Sequence, residues 1–306
     1  MKWNSVDFWR ARRVLVTGGS GFLGGWVCRT LLEAGAEVHS TGHRNPSRWA
    51  TAHHTARLPD DTDAIFTAVN PEVVFHLAGP VQPGAGSDSL ATLRPGIVDA
   101  AEAIATASER CGSHLVHIGT CAEYGQCPAP HREDHTPQPT STYGQLKLAA
   151  SQHALAVGGT VVRPFRAIGP GDSQSVVFAA AMAAISGQPF AMTEGSQVRE
   201  WNHVKAVATG IVTAGAHPEA RGLVINIGGG EARSVYGVVE SIFRAAGAPT
   251  DLIRRGALSP RLGDVQELIG DHTRAEGLWG TIPQPSLDET LRQTIEWLES
   301  ARGDAA

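Results

Sequence analysis

The chain has 306 residues, 42% of them hydrophobic and 18% charged, which is room for two domains or for one large core with a smaller lobe, and too apolar for a disordered chain. Its 25 Lys and Arg against 30 Asp and Glu give a formal charge of −5, which argues against a surface that neutralises many phosphates and so against a nucleic-acid partner. Glycine is in excess at 35 residues with no collagen-like period, so where those glycines sit becomes the question.

The first thirteen residues interrupt their apolar side chains with Lys2, Asp7 and Arg10 and contain no continuous apolar run of the kind a signal peptide needs. Trp3, Phe8 and Trp9 make this an arm expected to pack on the sheet or on another subunit. From Arg13 onward, β-branched runs alternate with Ala/Leu-rich segments of helical period, the pattern of βαβ units and a parallel sheet. Strands are expected at Val14–Thr17, Glu37–Thr41, Val73–Leu77, His114–Ile118 and Thr160–Arg163, and helices at Trp26–Ala34, Asp63–Val69, Ile97–Ser108 and Tyr143–Ala156. The strands are nearly continuous in apolar residues, as expected where helices cover both faces. After Arg163 the regularity breaks. A helix Val176–Ser186 and a loop Gln188–Gln197 follow, then a strand Leu223–Asn226, and the C-terminal third runs helix, loop, helix to Trp297. The fold class is α/β, a doubly wound parallel sheet of Rossmann type at 12–165, rejoined by about 199–228, with a smaller substrate lobe at 166–198 and 229–300. No stretch reaches the roughly 20 apolar residues of a membrane helix. Cys28, Cys111, Cys121 and Cys127 form no CxxC pair, so a reducing, cytoplasmic setting is expected.

The first expected strand runs into Thr17-Gly18-Gly19-Ser20-Gly21-Phe22-Leu23-Gly24, with a helix beginning at about Gly24. Glycines at 18, 21 and 24 let backbone N–H groups and a positive helix end face a pyrophosphate. The end of the second strand then decides the cofactor. A carboxylate there would hold the ribose 2′-OH of NAD, and an arginine would pair with the 2′-phosphate of NADP. The sequence reads Val38-His39-Ser40-Thr41-Gly42-His43-Arg44, without a carboxylate, so Arg44 points to NADP(H), NAD remaining possible.

Tyr143-Gly144-Gln145-Leu146-Lys147 is Y-x-x-x-K on a helix, and the i, i+4 spacing puts both side chains on one face. An adjacent ammonium favours the phenolate and is expected to bring the tyrosine toward a working acid–base range. Thr120 stands just past the strand His114–Ile118, 23 residues before Tyr143, at the strand end where open parallel sheets bind ligands.

TGGSGFLG at 17–24, HLAG at 76–79, GTCAEYG at 119–125, YGQLK at 143–147, RPFRAIGPG at 163–171, REWNHV at 199–204 and NIGGG at 226–230 together resemble the extended short-chain dehydrogenase/reductases, and within them the branch of NDP-sugar epimerases, dehydratases and reductases. The resemblance implies Thr120, Tyr143 and Lys147 as the catalytic triad. It implies cofactor contacts at Gly18, Gly21, Phe22, Leu23, Gly24, Leu77, Ala78, Gly79 and Pro164 as well as at Tyr143 and Lys147. It implies substrate contacts at Val81, Cys121, Ala122, Arg199 and Arg261; Arg166, which replaces the family's Asn after R-P-F, adds a cation that either meets the substrate or nicotinamide edge or forms a salt bridge within the second lobe. It also implies a nucleotide-diphosphate sugar as substrate, and a homodimer formed by helices 97–108 and 143–156.

The departures from the family pattern discriminate among reactions. Family dehydratases place an acid and a base after the catalytic Ser/Thr, where this chain has Cys121 and Ala122, and alanine transfers no proton; Glu123 stands one residue further on. The leading expectation is NADPH-dependent reduction of a 4-keto-6-deoxy nucleotide sugar, a step of deoxysugar biosynthesis, with Tyr143 as proton donor. The alternatives are a C4 epimerase with retained NAD and a non-catalytic NADP-binding sensor. His53-His54 and His131-x-Glu133-x-His135 lack metal-ligand spacing and are expected to be solvated loop histidines, so no metal is expected. His203 either faces the cleft or packs in the core. Cys121 is expected to line the pocket rather than act as a nucleophile.

Overall fold

The computed structural model describes residues 5–42, 46–80, 90–260 and 263–303. His43, Arg44, Val81 and Arg261 therefore lie outside the described residues. A short helix α1 (Ser5–Trp9) leads into β1 (Arg13–Thr17), α2 (Phe22–Glu33), β2 (Glu37–Gly42), β3 (Ala52–Thr55), α3 (Thr62–Val69) and β4 (Val73–His76). Next come α4 (Leu90–Arg94), a π-helical turn at Pro95–Asp99, α5 (Ala100–Cys111), β5 (His114–Ile118), α6 (Thr142–Ala156) and β6 (Thr160–Pro164). The chain then forms β7 (Arg166–Ile168), α7 (Val176–Ile185), β8 (Phe190–Ala191), β9 (Val198–His203), α8 (Val204–Ala216) and β10 (Val224–Ile227). It finishes through β11 (Glu231–Ser234), α9 (Val235–Ala245), β12 (Ile253–Arg254), β13 (Glu267–Leu268), α10 (Thr273–Trp279) and α11 (Leu287–Gly303).

Seven strands form one sheet in the order β10-β6-β5-β4-β1-β2-β3, and every ladder in it is parallel. One face buries Val14, Val16, Val38, Phe75, Val116 and Val162 against α2 and α8. The other buries Leu15, Val74, Leu115 and Val161 with Phe66 and Ile104 of α3 and α5. This is the doubly wound arrangement expected from runs that are apolar on both faces. A second sheet joins β11, β9 and β13, with β7 on β9, beside a separate core built from α7, α9 and α11. Trp9 is fully buried against the first core, so α1 packs on the sheet, while Trp3 lies outside the described residues.

Three elements differ from the sequence expectation. Helix α2 begins at Phe22 rather than near Gly24, because Gly21, extended at φ −74° and ψ 170°, is already its N-cap. Strand β3 is new. Ala-His-His-Thr has no apolar run because an edge strand is only half covered, and its ladder is parallel to β2. The expected helix 97–108 starts earlier, at Leu90, and passes Pro95 through the π-helical turn. The solvated histidines also need correction. His53 and His54 lie on β3, bonded to Ser40 (2.8 Å) and His39 (2.9 Å). His131 is fully buried, its ring stacked 5.0 Å from that of Tyr124.

Candidate active site

The glycine loop is built by close approach. Gly18 has φ +71° and donates its N–H to the Thr41 carbonyl (2.9 Å), and a Cβ on Gly18 would fall 2.9 Å from the Ala78 nitrogen. A Cβ on Gly24 would stand 2.1 Å from the Gly18 carbonyl oxygen, so only glycine lets α2 turn in this tightly. No side chain caps the N-terminus of α2. Its first N–H groups are free to meet an anion, and the loop fits a dinucleotide pyrophosphate.

The loop opens onto a cleft of about 1840 Å³ that runs to the second sheet. Gly21, Phe22, Gly79, Thr120, Cys121, Ala122, Tyr143, Arg166 and Arg199 share its wall. Gly18, Leu23, Gly24, Leu77, Ala78, Lys147 and Pro164 are not among the residues that line it. Thr17 ties the Ala78 backbone to β4, since its hydroxyl accepts from the Ala78 N–H (3.1 Å) while bonded to His76 (2.8 Å). Arg29, Trp49, Phe190 and Trp297 also line the cleft, and nothing in their local sequence marks them.

Thr120 is extended (φ −162°, ψ 149°) and caps the single turn Cys121–Glu123. Its Oγ1 accepts from the Ala122 N–H (3.2 Å), and the hydroxyl lies beside the Cys121 side chain on the cleft wall, with a hydrogen of its own to donate. Ser141 caps α6, accepting from the Gly144 N–H (3.0 Å), so Tyr143 sits in the first turn and Lys147 one turn on. The Lys147 ammonium donates to the Ile118 carbonyl at 2.5 Å.

The expected pull of Lys147 on the phenol does not prevail. Burial holds Tyr143 above its ordinary value, with smaller contributions from Cys121 and Glu123 in the same direction. Burial also brings Lys147 down to about 8, against the opposing charge of Glu123. Desolvation penalises whichever form is charged, so it keeps the phenol protonated and loosens the ammonium's proton. Burial likewise pushes the Cys121 thiol up to about 11 despite Arg166 and Arg199 nearby, which suits a pocket-lining residue and not a nucleophile.

Arg199 is tied to Asp264 (2.7 Å) and to the Val198 carbonyl (2.8 Å), and the Arg166 guanidinium lies over the Trp201 ring at 5.9 Å. His203 packs in the interior. Its Nδ1 accepts from the Lys205 N–H (3.0 Å), and its Nε2 meets the Gln293 amide oxygen (3.2 Å). Glu123 is a site residue whose role went unrecognised, although Thr120-x-x-Glu123 carries the capping-box pattern and the structure forms that box.

The NAD dependent epimerase/dehydratase family model matches residues 14–228. The chain belongs to this family. Among relatives, it is 28% identical to a dTDP-6-deoxy-L-talose 4-dehydrogenase (NAD(P)(+)) of Kitasatospora kifunensis over 92% of this chain and 94% of the other. It is 29% identical to a UDP-glucose 4-epimerase of Mycolicibacterium smegmatis over 94% and 99%. The solved structure of MoeE5 in complex with UDP-glucose and NAD is 29% identical, with TM-score 0.84 over 94% of this chain and 99% of that one. Family membership bears out the resemblance to extended short-chain dehydrogenase/reductases and the Rossmann-type fold. Among the described residues no helix is long and apolar enough to cross a membrane, and no three His, Cys, Asp or Glu side chains group as metal ligands.

Proposed function

We propose that this protein reduces a 4-keto-6-deoxy nucleotide sugar with NADPH. The observation that carries the reading is the composition of the wall around Thr120. The Thr120 hydroxyl and a protonated Tyr143 line the cleft, while Cys121 and Ala122 offer no acid–base pair for dehydration and leave an apolar floor suited to a methyl group. Bound nicotinamide would supply the hydride. The chain's own groups would do the rest: Thr120 holds the ketone oxygen, Tyr143 gives it a proton, and Lys147 steadies the cofactor ribose and the charge near the phenol. Arg199 and Arg166, which line the cleft, would meet the diphosphate or sugar, and Val81 and Arg261 are kept as substrate contacts on the family resemblance alone.

Preference for NADPH rests on Arg44 and on the absence of a carboxylate at the end of β2, which closes as Thr41-Gly42. Arg29 and Arg48 also line this end of the cleft, both over the Trp49 ring at 4.9 and 5.1 Å. The proposal includes a cytoplasmic homodimer formed through α5 and α6. The second reading, a C4 epimerase with retained NAD, is favoured by the epimerase relative and by MoeE5, whose complex contains NAD.

Thermal stabilisation separates the two. NADPH at a hundredfold excess over its Kd is expected to add about 2.7 kcal/mol, more than NADH at equal concentration. Crossing each cofactor with TDP, GDP, UDP and CDP identifies the nucleotide. Greater stabilisation by NADH, or NAD retained through purification, would replace the reductase with the epimerase.

A further inference from the structure

Glu123 is fully buried, and the mechanism above gives it no part. All its bonds are to named partners. Its Oε1 accepts from the Thr120 N–H (2.9 Å) and the Ser151 hydroxyl (3.0 Å), and its Oε2 accepts from Arg163 Nε (2.8 Å). Space for the carboxylate exists because residue 119 is glycine, where a Cβ would stand 2.4 Å from Oε1. Arg163, 4% exposed, is held in turn over the Tyr124 ring at 4.5 Å.

A buried ion pair is poor evidence for stability, since desolvating two charges offsets their attraction. What distinguishes this one is where its ends go. One carboxylate oxygen fixes the backbone of the residue whose hydroxyl faces the cleft, and Ser151 lies on the helix that carries Tyr143 and Lys147. The negative charge also acts on both of those side chains, and in each case it favours the protonated form.

We propose that Glu123, ion-paired with Arg163, is a positioning residue that locks the Thr120 turn and holds a negative charge beside Tyr143 and Lys147; this rests on the reading of those three residues as the reactive set. Glu123 does not touch substrate in this scheme. It acts through the backbone of Thr120 and through its charge.

The protein contains only three lysines, Lys2, Lys147 and Lys205, so lysine-selective isotope labelling resolves Lys147 by NMR without any substrate. In the wild type its titration midpoint is expected near 8. Glu123→Gln keeps the shape and an acceptor oxygen but removes the charge, and should lower that midpoint by about one pH unit. Glu123→Asp keeps the charge and should leave the midpoint near the wild-type value, while its shorter reach loosens Thr120 and lowers kcat. If Glu123→Gln fails to fold with Arg163 left unpaired, Glu123→Gln/Arg163→Gln removes both charges and should lower the midpoint likewise. A Lys147 midpoint unmoved by loss of the Glu123 charge overturns the proposal. Absence of turnover of any 4-keto nucleotide sugar by the wild type would instead sink the proposed function, and the NMR titration would still decide the role of Glu123.

Discussion

Tyr143→Phe is expected to lower kcat for ketone reduction by roughly 10²–10⁴-fold, with NADPH affinity within a few-fold of wild type. The substitution removes one oxygen from a ring that burial already shields, so packing is nearly conserved while the only phenolic proton in the cleft is lost. Thr120 can still hold the substrate oxygen but cannot neutralise it without becoming an alkoxide. Single-turnover oxidation of NADPH, followed by fluorescence, reads the chemical step directly. A variant with more than a tenth of wild-type kcat would remove Tyr143 from its role. The pH dependence is a companion result. Because burial lowers Lys147 to about 8 and raises Tyr143, the protonated pair persists below pH 8, so kcat should be flat there and fall as Lys147 loses its proton above it.

Glu200→Ala should be the most destabilising single change at the junction of the two sheets, costing about 3–5 kcal/mol. Glu200, 2% exposed, accepts from the Gly229 N–H (2.8 Å), the Gly270 N–H (2.8 Å) and His272 Nε2 (2.9 Å). Removing it leaves two backbone donors and the half-buried His272 ring without their carboxylate partner. Burial works against the charge on both members, but their mutual hydrogen bond and attraction prevail, holding Glu200 below and His272 above their ordinary values. The Glu200 contribution is therefore lost as pH falls through its depressed value, and the His272 contribution as pH rises through its raised one. Urea midpoints of Glu200→Ala and Glu200→Gln against wild type, between pH 4 and 8, test both the size and this window. A loss under 1 kcal/mol for Glu200→Ala at pH 6 would show the junction does not depend on the pair.

The same junction shows what could and could not be seen in the sequence. Strands such as Val14-Leu15-Val16 and Val73-Val74-Phe75 announce themselves because burial on both faces demands continuous apolar residues, and the glycines at 18 and 24 because no other residue fits. Strand β3 was hidden, since an edge strand of Ala-His-His-Thr needs no such run. His131 looked solvated because prolines surround it, yet it is buried by Tyr124 and Phe165. The glycines at 228 and 230 are also not a loose turn. A Cβ at either would stand 2.0 Å from an oxygen, of Glu200 or Trp201 respectively. Contacts of that kind join residues 30 to 70 positions apart, and no local pattern encodes them. Glu123 lies between these cases, since its capping box was legible while its link to Arg163 was not.

Parallel pairing throughout the seven-stranded sheet also bears on how the chain reaches this state. No two neighbouring strands share a hairpin, so each ladder must close a loop before any contact rewards it, which places the protein among slow folders. The ladder between β6 and β10 needs residues 224–227 to meet residues 161–164. Until those late residues have left the ribosome, Val161 and Val162 stand on an open edge, a ready template for another chain. The β6 edge that β10 covers in the finished protein is thus one its nascent form leaves exposed until late.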